Sequence, residues 1–303
     1  MPQKIKLSIC IVTFNHEKFI YECLDSVVKQ EVNFSFEVIV ADDFSQDKTR
    51  EIIVDFQKKY PKIIKPIFRK ENIGSVHNYM DAHSKAVGEY IAHVDGDDFL
   101  LPSKLQLQVD RFDSDPSLNI VWHRMMFFNA ERNIKVPHPD VKSPFIDRKF
   151  SRRDLMLYGT VGSHSSMMYR KENFSLRYKD FAALDWLIAV DVIGDGYGIV
   201  MPEVLGAYRV HAHGMSGGAS ANYKIRELFC NCQLEAIKRF PEFKSEIAAR
   251  AFVLMLADLK SKKWFFTKSL KVLLKSMRIP RIDFIFEIIN FYNFSKLPSE
   301  FKI

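Results

Sequence analysis

The sequence predicts an α/β fold around a mostly parallel sheet, and three observations lead there. Lys6–Phe14 is a near-continuous apolar run rich in Ile and Val, as expected of a strand buried on both faces. From that run onward strand-like and helix-like segments alternate, which implies parallel strands joined by right-handed crossovers. The early strands also finish in polar or acidic residues: Asn15, then Asp42-Asp43, then Asp95-Gly96-Asp97-Asp98. In an open parallel sheet the carboxyl ends of the strands line one crevice, and ligands bind there.

The elements follow in order. Phe19, Ile20, Cys23, Leu24, Val27 and Val28 recur at helical spacing after the polar Asn15-His16-Glu17. Phe36–Ala41 is the second strand, and Ser45 or Asp47 can cap a helix whose core face is Ile52, Ile53 and Phe56. Ile63–Phe68 is a third strand; a helix runs from Asn72 and Gly74 to about Val87, and the strand Tyr90–Val94 leads into Asp95. Pro102 suits the first turn of a helix reaching Phe112. Asn119–Asn129 reads as a long strand or strand pair, Pro137–Pro144 as a loop, Ala183–Ile193 as a helix and Gly198–Tyr208 as a strand. His211–Asn222, with Gly214, Gly217 and Gly218, reads as a flexible loop, and the remainder as helices. The predicted division is a domain over 1–221, with halves 1–102 and 103–221, followed by a basic helical region over 222–303.

Hydrophobic residues at 47% and charged residues at 27% of 303 give a soluble chain enough core for a large domain. Cys10, Cys23, Cys230 and Cys232 form no zinc pattern and are expected to be buried thiols in a reducing compartment. Lys4 and Lys6 precede an apolar run, but it stops at Asn15-His16-Glu17 with no small-residue cleavage site, so it does not read as a signal peptide. No stretch of about 18 apolar residues offers a spanning helix, and the protein is expected on the cytoplasmic side. The net charge of +7 is uneven: residues 222–303 hold 16 Lys/Arg against 8 Asp/Glu, whereas the preceding 221 hold 28 against 29. Between Leu259 and Arg281 there are eight Lys/Arg and no acid, with Lys268, Lys271, Lys275 and Arg278 on one helical face and Phe266, Leu270, Leu273 and Met277 roughly opposite. Such a helix suits an anionic membrane surface at 259–281, or else docks on the domain with its lysines solvated.

The strand ends carry the chemistry. Carboxylates two apart, as in Asp95-Gly96-Asp97, can both reach a hard cation, and Gly96 leaves space where phosphate approaches. A solvated acidic turn is the plain alternative. Asp42 or Asp43 can accept from a uracil imide or a ribose hydroxyl, or can cap a helix, and Thr13-Phe14-Asn15 can grip a base edge.

Taken jointly, Thr13-Phe14-Asn15, Asp42-Asp43, Asn72-x-Gly74 and Gly88-Glu89-Tyr90-Ile91 leading to Asp95-Gly96-Asp97-Asp98 resemble family-2 glycosyltransferases over Leu7–Leu105. The resemblance implies a GT-A type α/β fold, here with a C-terminal helical appendage. It implies a nucleoside-diphosphate sugar as donor, UDP above all, and a divalent metal, Mn²⁺ or Mg²⁺. By the same resemblance Asp97 ligates the ion, Asp95 contacts ribose or the metal shell, and Asp43, ahead of Asp42, contacts the base. Ala183-Leu184-Asp185-Trp186 is similar to the family's acceptor-side acidic motif, which makes Asp185 the base. Asp191 and Asp195 are its competitors. Tyr208-Arg209-Val210-His211 resembles a Tyr-Arg-x-His element, implying that His211 approaches the metal and that Arg209 neutralises phosphate. The glycine-rich stretch after it would be a lid. Phe44 stands where the family has Gly or Asn.

The expected reaction is inverting transfer of a sugar to the hydroxyl of a glycan or lipid-linked glycan at the inner face of a bacterial membrane, in envelope polysaccharide synthesis. A dehydrogenase would need Gly-x-Gly-x-x-Gly after the first strand, which Thr13–Lys18 lacks. A nucleic-acid-binding protein would use the basic tail, but no recognised module accompanies that charge, and no nucleic-acid partner is expected. A non-catalytic glycan-binding relative would be marked by loss of Asp97 or Asp185, and both are present.

Overall fold

The computed structural model describes residues 4–129, 131, 133–175, 185–211, 219–260, 264 and 266–295. Strand β1 (Leu7–Thr13) pairs in parallel with β2 (Phe36–Asp42) and β4 (Tyr90–Asp95), and β2 pairs in parallel with β3 (Ile64–Phe68). Helices α1 (Ile20–Val28), α2 (Thr49–Lys59) and α3 (Ser75–Ser84) make the crossovers. Register brings the strand ends side by side: Thr13 lies opposite Asp42 and Val12 opposite Asp95.

Alternation along β1 explains its unbroken apolar run. Ile9 and Ile11 pack with α1, α2 and α4 (Lys104–Ser114) on one face, while Cys10 joins Trp122 and the α6 helix (Asp185–Ile193) on the other. All four cysteines are buried, and none forms a disulfide.

The second half departs from simple alternation. The sheet runs β3-β2-β1-β4-β8-β6-β9-β5, with β7 paired to β6. Here β5 is Phe99–Leu100, β6 Leu118–Asn129, β7 Ile134–His138, β8 Met168–Arg170 and β9 Tyr197–Arg209. Strand β8 is antiparallel to both β4 and β6, whereas β6 and β9 are parallel. Pro137, expected in a loop, lies within β7 opposite Met126. Among the described residues β7 pairs only with β6, and an edge strand tolerates a residue without an N–H. Helix α5 (Arg152–Tyr158), absent from the sequence reading, starts with a capping box between Ser151 and Asp154.

The C-terminal helices are α7 (Ala219–Arg239), α8 (Lys244–Lys260), α9 (Phe266–Ser276) and α10 (Ile282–Ser295). They share the main core: Cys230, Ile247, Val272 and Phe291 belong to the same apolar cluster as Trp122 and Trp186. Helix α9 buries Ser269, Val272 and Ser276, leaving Leu270, Leu274 and Met277 exposed. No described helix is long and apolar enough to cross a membrane.

Candidate active site

Two cavities lie at the carboxyl ends of the strands. One, of about 430 Å³, is lined by Thr13, Phe14, Asp43, Asn72 and Asp97 among others. The second, of about 610 Å³, is lined by Asp185, Trp186, His164 and Tyr158, with Phe229, Arg250, Phe291 and Tyr292 of the C-terminal helices completing its wall. Val12, Ser75, Asp95 and Tyr208 line both. Asp95 therefore stands at the junction, with Asp43 and Asp97 on one side and Asp185 on the other.

In the smaller cavity the local structure explains each position. Asp43 accepts from the backbone N–H of Ile73 (2.8 Å) and of Gly74 (2.9 Å), so it clamps the entry to α3. Each carboxylate oxygen keeps a second acceptor position for a ligand. Asn72 donates to the Asp43 carbonyl at 3.2 Å. Asn15 has φ 54 and bridges to the neighbouring loop, accepting from the Gln46 N–H and donating its own N–H to Ser45. Phe44 has φ 68, the left-handed conformation for which glycine or asparagine is the usual choice.

One expectation needs correction, and two other predicted positions have structural partners of their own. Asp42 is fully buried and accepts from Arg50 Nε and the Ser45 N–H, because successive side chains of a strand face opposite ways and only Asp43 reaches the cavity. The Arg209 guanidinium donates to the Asp97 carbonyl and to Glu22 and lies 4.8 Å and 4.7 Å from the rings of Phe19 and Phe128, so it braces the acidic turn. At Gly96 a Cβ would lie 2.8 Å from Thr13 Cβ and Oγ1, so packing of the turn already demands glycine.

The acidic turn is set by buried partners. Asp98 accepts from the Arg209 N–H and from Ser165 Oγ, and burial beside Asp97 and Asp95 pushes its carboxyl well above the ordinary value. His211 Nε2 lies 3.0 Å from Asp97 Oδ2, while His211 Nδ1 is buried without a partner. Thr13 Oγ1 and His16 Nδ1, flanking Gly96, are also buried and unpartnered. Carboxylate, imidazole and orphaned polar atoms at one turn fit a divalent cation with its oxygen ligands.

Asp95 does not close up with Asp97 and His211. The one set of three possible ligands within 4.8 Å of one another among the described residues is His93, Asp95 and His164. The His93 and His164 rings are stacked at 3.8 Å with planes 30° apart, and His164 Nδ1 lies 3.9 Å from Asp95 Oδ2. His93 Nε2 lies 3.1 Å from Asp95, His93 Nδ1 lies 3.1 Å from His83 Nε2, and His83 Nδ1 lies 2.5 Å from the Tyr169 hydroxyl. Burial pushes the His93 imidazole down to about 4 and His83 well below its usual value. Both rings are then neutral, so the Tyr169 hydroxyl donates to His83, His83 to His93 and His93 to Asp95. Burial opposes ionisation of Asp95, yet the neighbouring His93, His164 and His16 hold its carboxyl low. This chain fixes the carboxylate at the junction. Sequence reading missed it, although His93 and Asp95 are two apart on one strand and so share a face.

Asp185 opens α6, accepting the Trp186 N–H at 2.8 Å, and lines the larger cavity. Its motif neighbours Ala183 and Leu184, and residues 212–218 of the loop expected over His211–Asn222, lie outside the described residues, while 219–222 of that loop already belong to α7. Asp191 pairs with Arg239, while the carboxylate of Asp195 is fully exposed to solvent.

Residues 8–176 match the family model described as glycosyl transferase family 2. The chain is a family-2 glycosyltransferase. It is 33% identical to an uncharacterised protein of Mycobacterium tuberculosis over 216 residues, 69% of this chain and 60% of the relative, so the match spans well under two thirds of that protein. An uncharacterised glycosyltransferase of Methanocaldococcus jannaschii is 26% identical over 67% of this chain and 70% of its own. The glycosyltransferase also shares its fold with residues 1–349 of S. aureus TarS in complex with UDP-GlcNAc (TM-score 0.58, 21% identity, 80% of this chain and 71% of that one). A mannosyltransferase from Pyrobaculum calidifontis in complex with GDP-Man and Mn²⁺ gives a TM-score of 0.60 at 18% identity, over 99% of this chain and 85% of that one. The fold is thus of the GT-A type, and the C-terminal helices are part of what superposes.

Proposed function

We propose that the glycosyltransferase binds a UDP-sugar in the 430 Å³ cavity and transfers the sugar, with inversion, to an acceptor hydroxyl in the 610 Å³ cavity. The observation that carries this reading is the shared border of the two cavities at Asp95. Asp43 and the Thr13-Phe14-Asn15 segment would face the nucleoside, and Asp95 the ribose or sugar. Asp185 accepts the proton of the acceptor hydroxyl as its oxygen attacks the anomeric carbon and the bond to the diphosphate breaks. Asp97 and His211 would hold a divalent cation, Mn²⁺ or Mg²⁺, which when bound offsets the charge of the departing diphosphate. UDP with Mn²⁺ is expected to raise the melting temperature of the wild-type chain, and Asp97→Ala to lose the metal-dependent part of that rise. A full shift in the variant would remove Asp97 from the metal site.

The acceptor is proposed to be a glycan or lipid-linked glycan presented at an anionic membrane. Supporting this, Leu274, Met277, Ile279 and Ile282 are 69%, 84%, 91% and 71% exposed beside Lys271, Lys275 and Arg278. The inward face of α9 is small, so the aliphatic side chains are not consumed by packing. Replacing Leu274 and Ile279 together by serine is expected to weaken binding to phosphatidylglycerol vesicles at least about tenfold. Equal sedimentation of both proteins with vesicles would make the helix purely structural.

A further inference from the structure

The larger cavity contains a cation that the transfer chemistry leaves unused. Arg250 of α8 lines it at 6% exposure, and its Nε and Nη1 atoms are buried with no hydrogen-bond partner. The guanidinium shares a hydrogen bond with Tyr292 and lies 4.3 Å and 5.1 Å from the rings of Phe229 and Trp186. Among the described residues no carboxylate forms an ion pair with it. Burial lowers its proton affinity to about 10, with Tyr292 and Asp185 acting in the opposite direction, so it is still a cation at neutral pH. Space has been cleared for it: Gly159 has φ 92, and a Cβ there would fall 1.9 Å from Arg250 Nη2.

A buried charge without a counter-charge is costly, and a guanidinium presents a planar fork of donors matched to carboxylate or phosphate oxygens. The surrounding wall is aromatic, as suits the faces of sugar rings. We infer that the acceptor carries an oxyanion, a phosphate or a carboxylate, which Arg250 holds in this cavity while a hydroxyl of the same acceptor faces Asp185. The inference rests on the proposed transfer reaction for its meaning, but the anion site can be tested apart from it. A phosphate would come from a phosphorylated or lipid-phosphate-linked sugar, a carboxylate from a uronic acid residue.

The test is binding to the full chain of glucose 6-phosphate, glucuronate and glucose, followed by ligand-observed NMR. Wild type is expected to bind at least one of the two anions about tenfold tighter than glucose. Arg250→Gln should abolish that preference while leaving glucose unchanged. If Arg250→Gln does not fold, Arg250→Lys, which keeps the charge but not the fork, should bind the preferred anion several-fold more weakly. Stronger binding of the phosphate assigns a phosphorylated acceptor, and stronger binding of glucuronate an acidic glycan. Equal binding of all three sugars by wild type, or an anion preference unchanged in both variants, overturns the proposal. Nucleotide binding, followed with UDP and Mn²⁺, is the separate control: its failure with the anion preference intact would sink the transferase assignment of the cavities and leave the Arg250 site standing.

Discussion

Asp185→Asn is expected to bind UDP and Mn²⁺ as the wild type does and to transfer sugar about 10²–10⁴-fold more slowly, the usual contribution of a positioned base. The asparagine side chain preserves the shape and can still accept the Trp186 N–H through its oxygen, so α6 should begin where it does now. What it cannot do is accept the acceptor's proton. The measurement is single-turnover transfer at saturating donor, paired with a nucleotide-binding isotherm. Near wild-type turnover would move the base elsewhere, and Asp95, which lines the same cavity and is held ionised by its histidine neighbours, would be next to test. Loss of nucleotide binding together with turnover would indicate instead that α6 had shifted.

The largest expected change in stability comes from Lys104→Met. Lys104 is fully buried at the start of α4 with no partner for its ammonium group, and burial lowers it from 10.5 to about 7. Its position at a helix N-terminus is also unfavourable for a cation. The sign follows from proton counting. Between pH 7 and 10.5 the unfolded chain holds this proton and the folded chain does not, so stability contributed by the neutral lysine is complete only above the unfolded value and is lost as pH falls. At pH 7 the loss amounts to about 4 kcal/mol by linkage, and at pH 10 to less than about 1 kcal/mol. Methionine has similar length and no charge to desolvate, so the variant should melt several degrees higher at pH 7 and nearly level with wild type at pH 10. Melting curves that run parallel across that pH range would show that Lys104 is not held as a desolvated amine. His123, also fully buried, is pushed down to about 3 by burial and by Lys104, and methionine at 104 relieves that second effect.

Much of the first half of the molecule could be read along the chain because its determinants are local. Unbroken Ile/Val runs, helical spacing of apolar residues and polar strand ends were enough to place β1 to β4 and α1 to α3 within a few residues. The antiparallel insertion of β8 between β4 and β6 could not be read that way. Met168–Arg170 is a three-residue strand whose pairing depends entirely on partners far away in sequence. Strand β7 was hidden by Pro137, which reads as a breaker unless one knows that the strand has a single neighbour.

The candidate site divides in the same manner. Asp43, Asp95, Asp97 and Asp185 were visible as residue types at strand and helix ends, and the structure puts all four around adjoining cavities. At Asp42-Asp43 only the family resemblance ranked Asp43 first; the residues by themselves did not say which of the two faces the cavity, since that depends on the pleat of β2 and on the claim of Arg50 on Asp42. The histidine chain behind Asp95 and the cation at Arg250 were not visible either. His83, His93 and Tyr169 come from three elements, and Arg250 from a region that sequence alone treated as an appendage.

By itself, then, the sequence determined the sheet-forming segments, the carboxylates at their ends and the basic surplus at the C-terminus, because strand burial and residue chemistry are written in short windows. Tertiary structure alone decided which carboxylates share a cavity, how Asp95 is held, and that α7, α8 and α10 wall the larger cavity. Those outcomes depend on contacts between residues up to a hundred or more positions apart, and only packing of the finished sheet and helices brings such groups within a few ångströms.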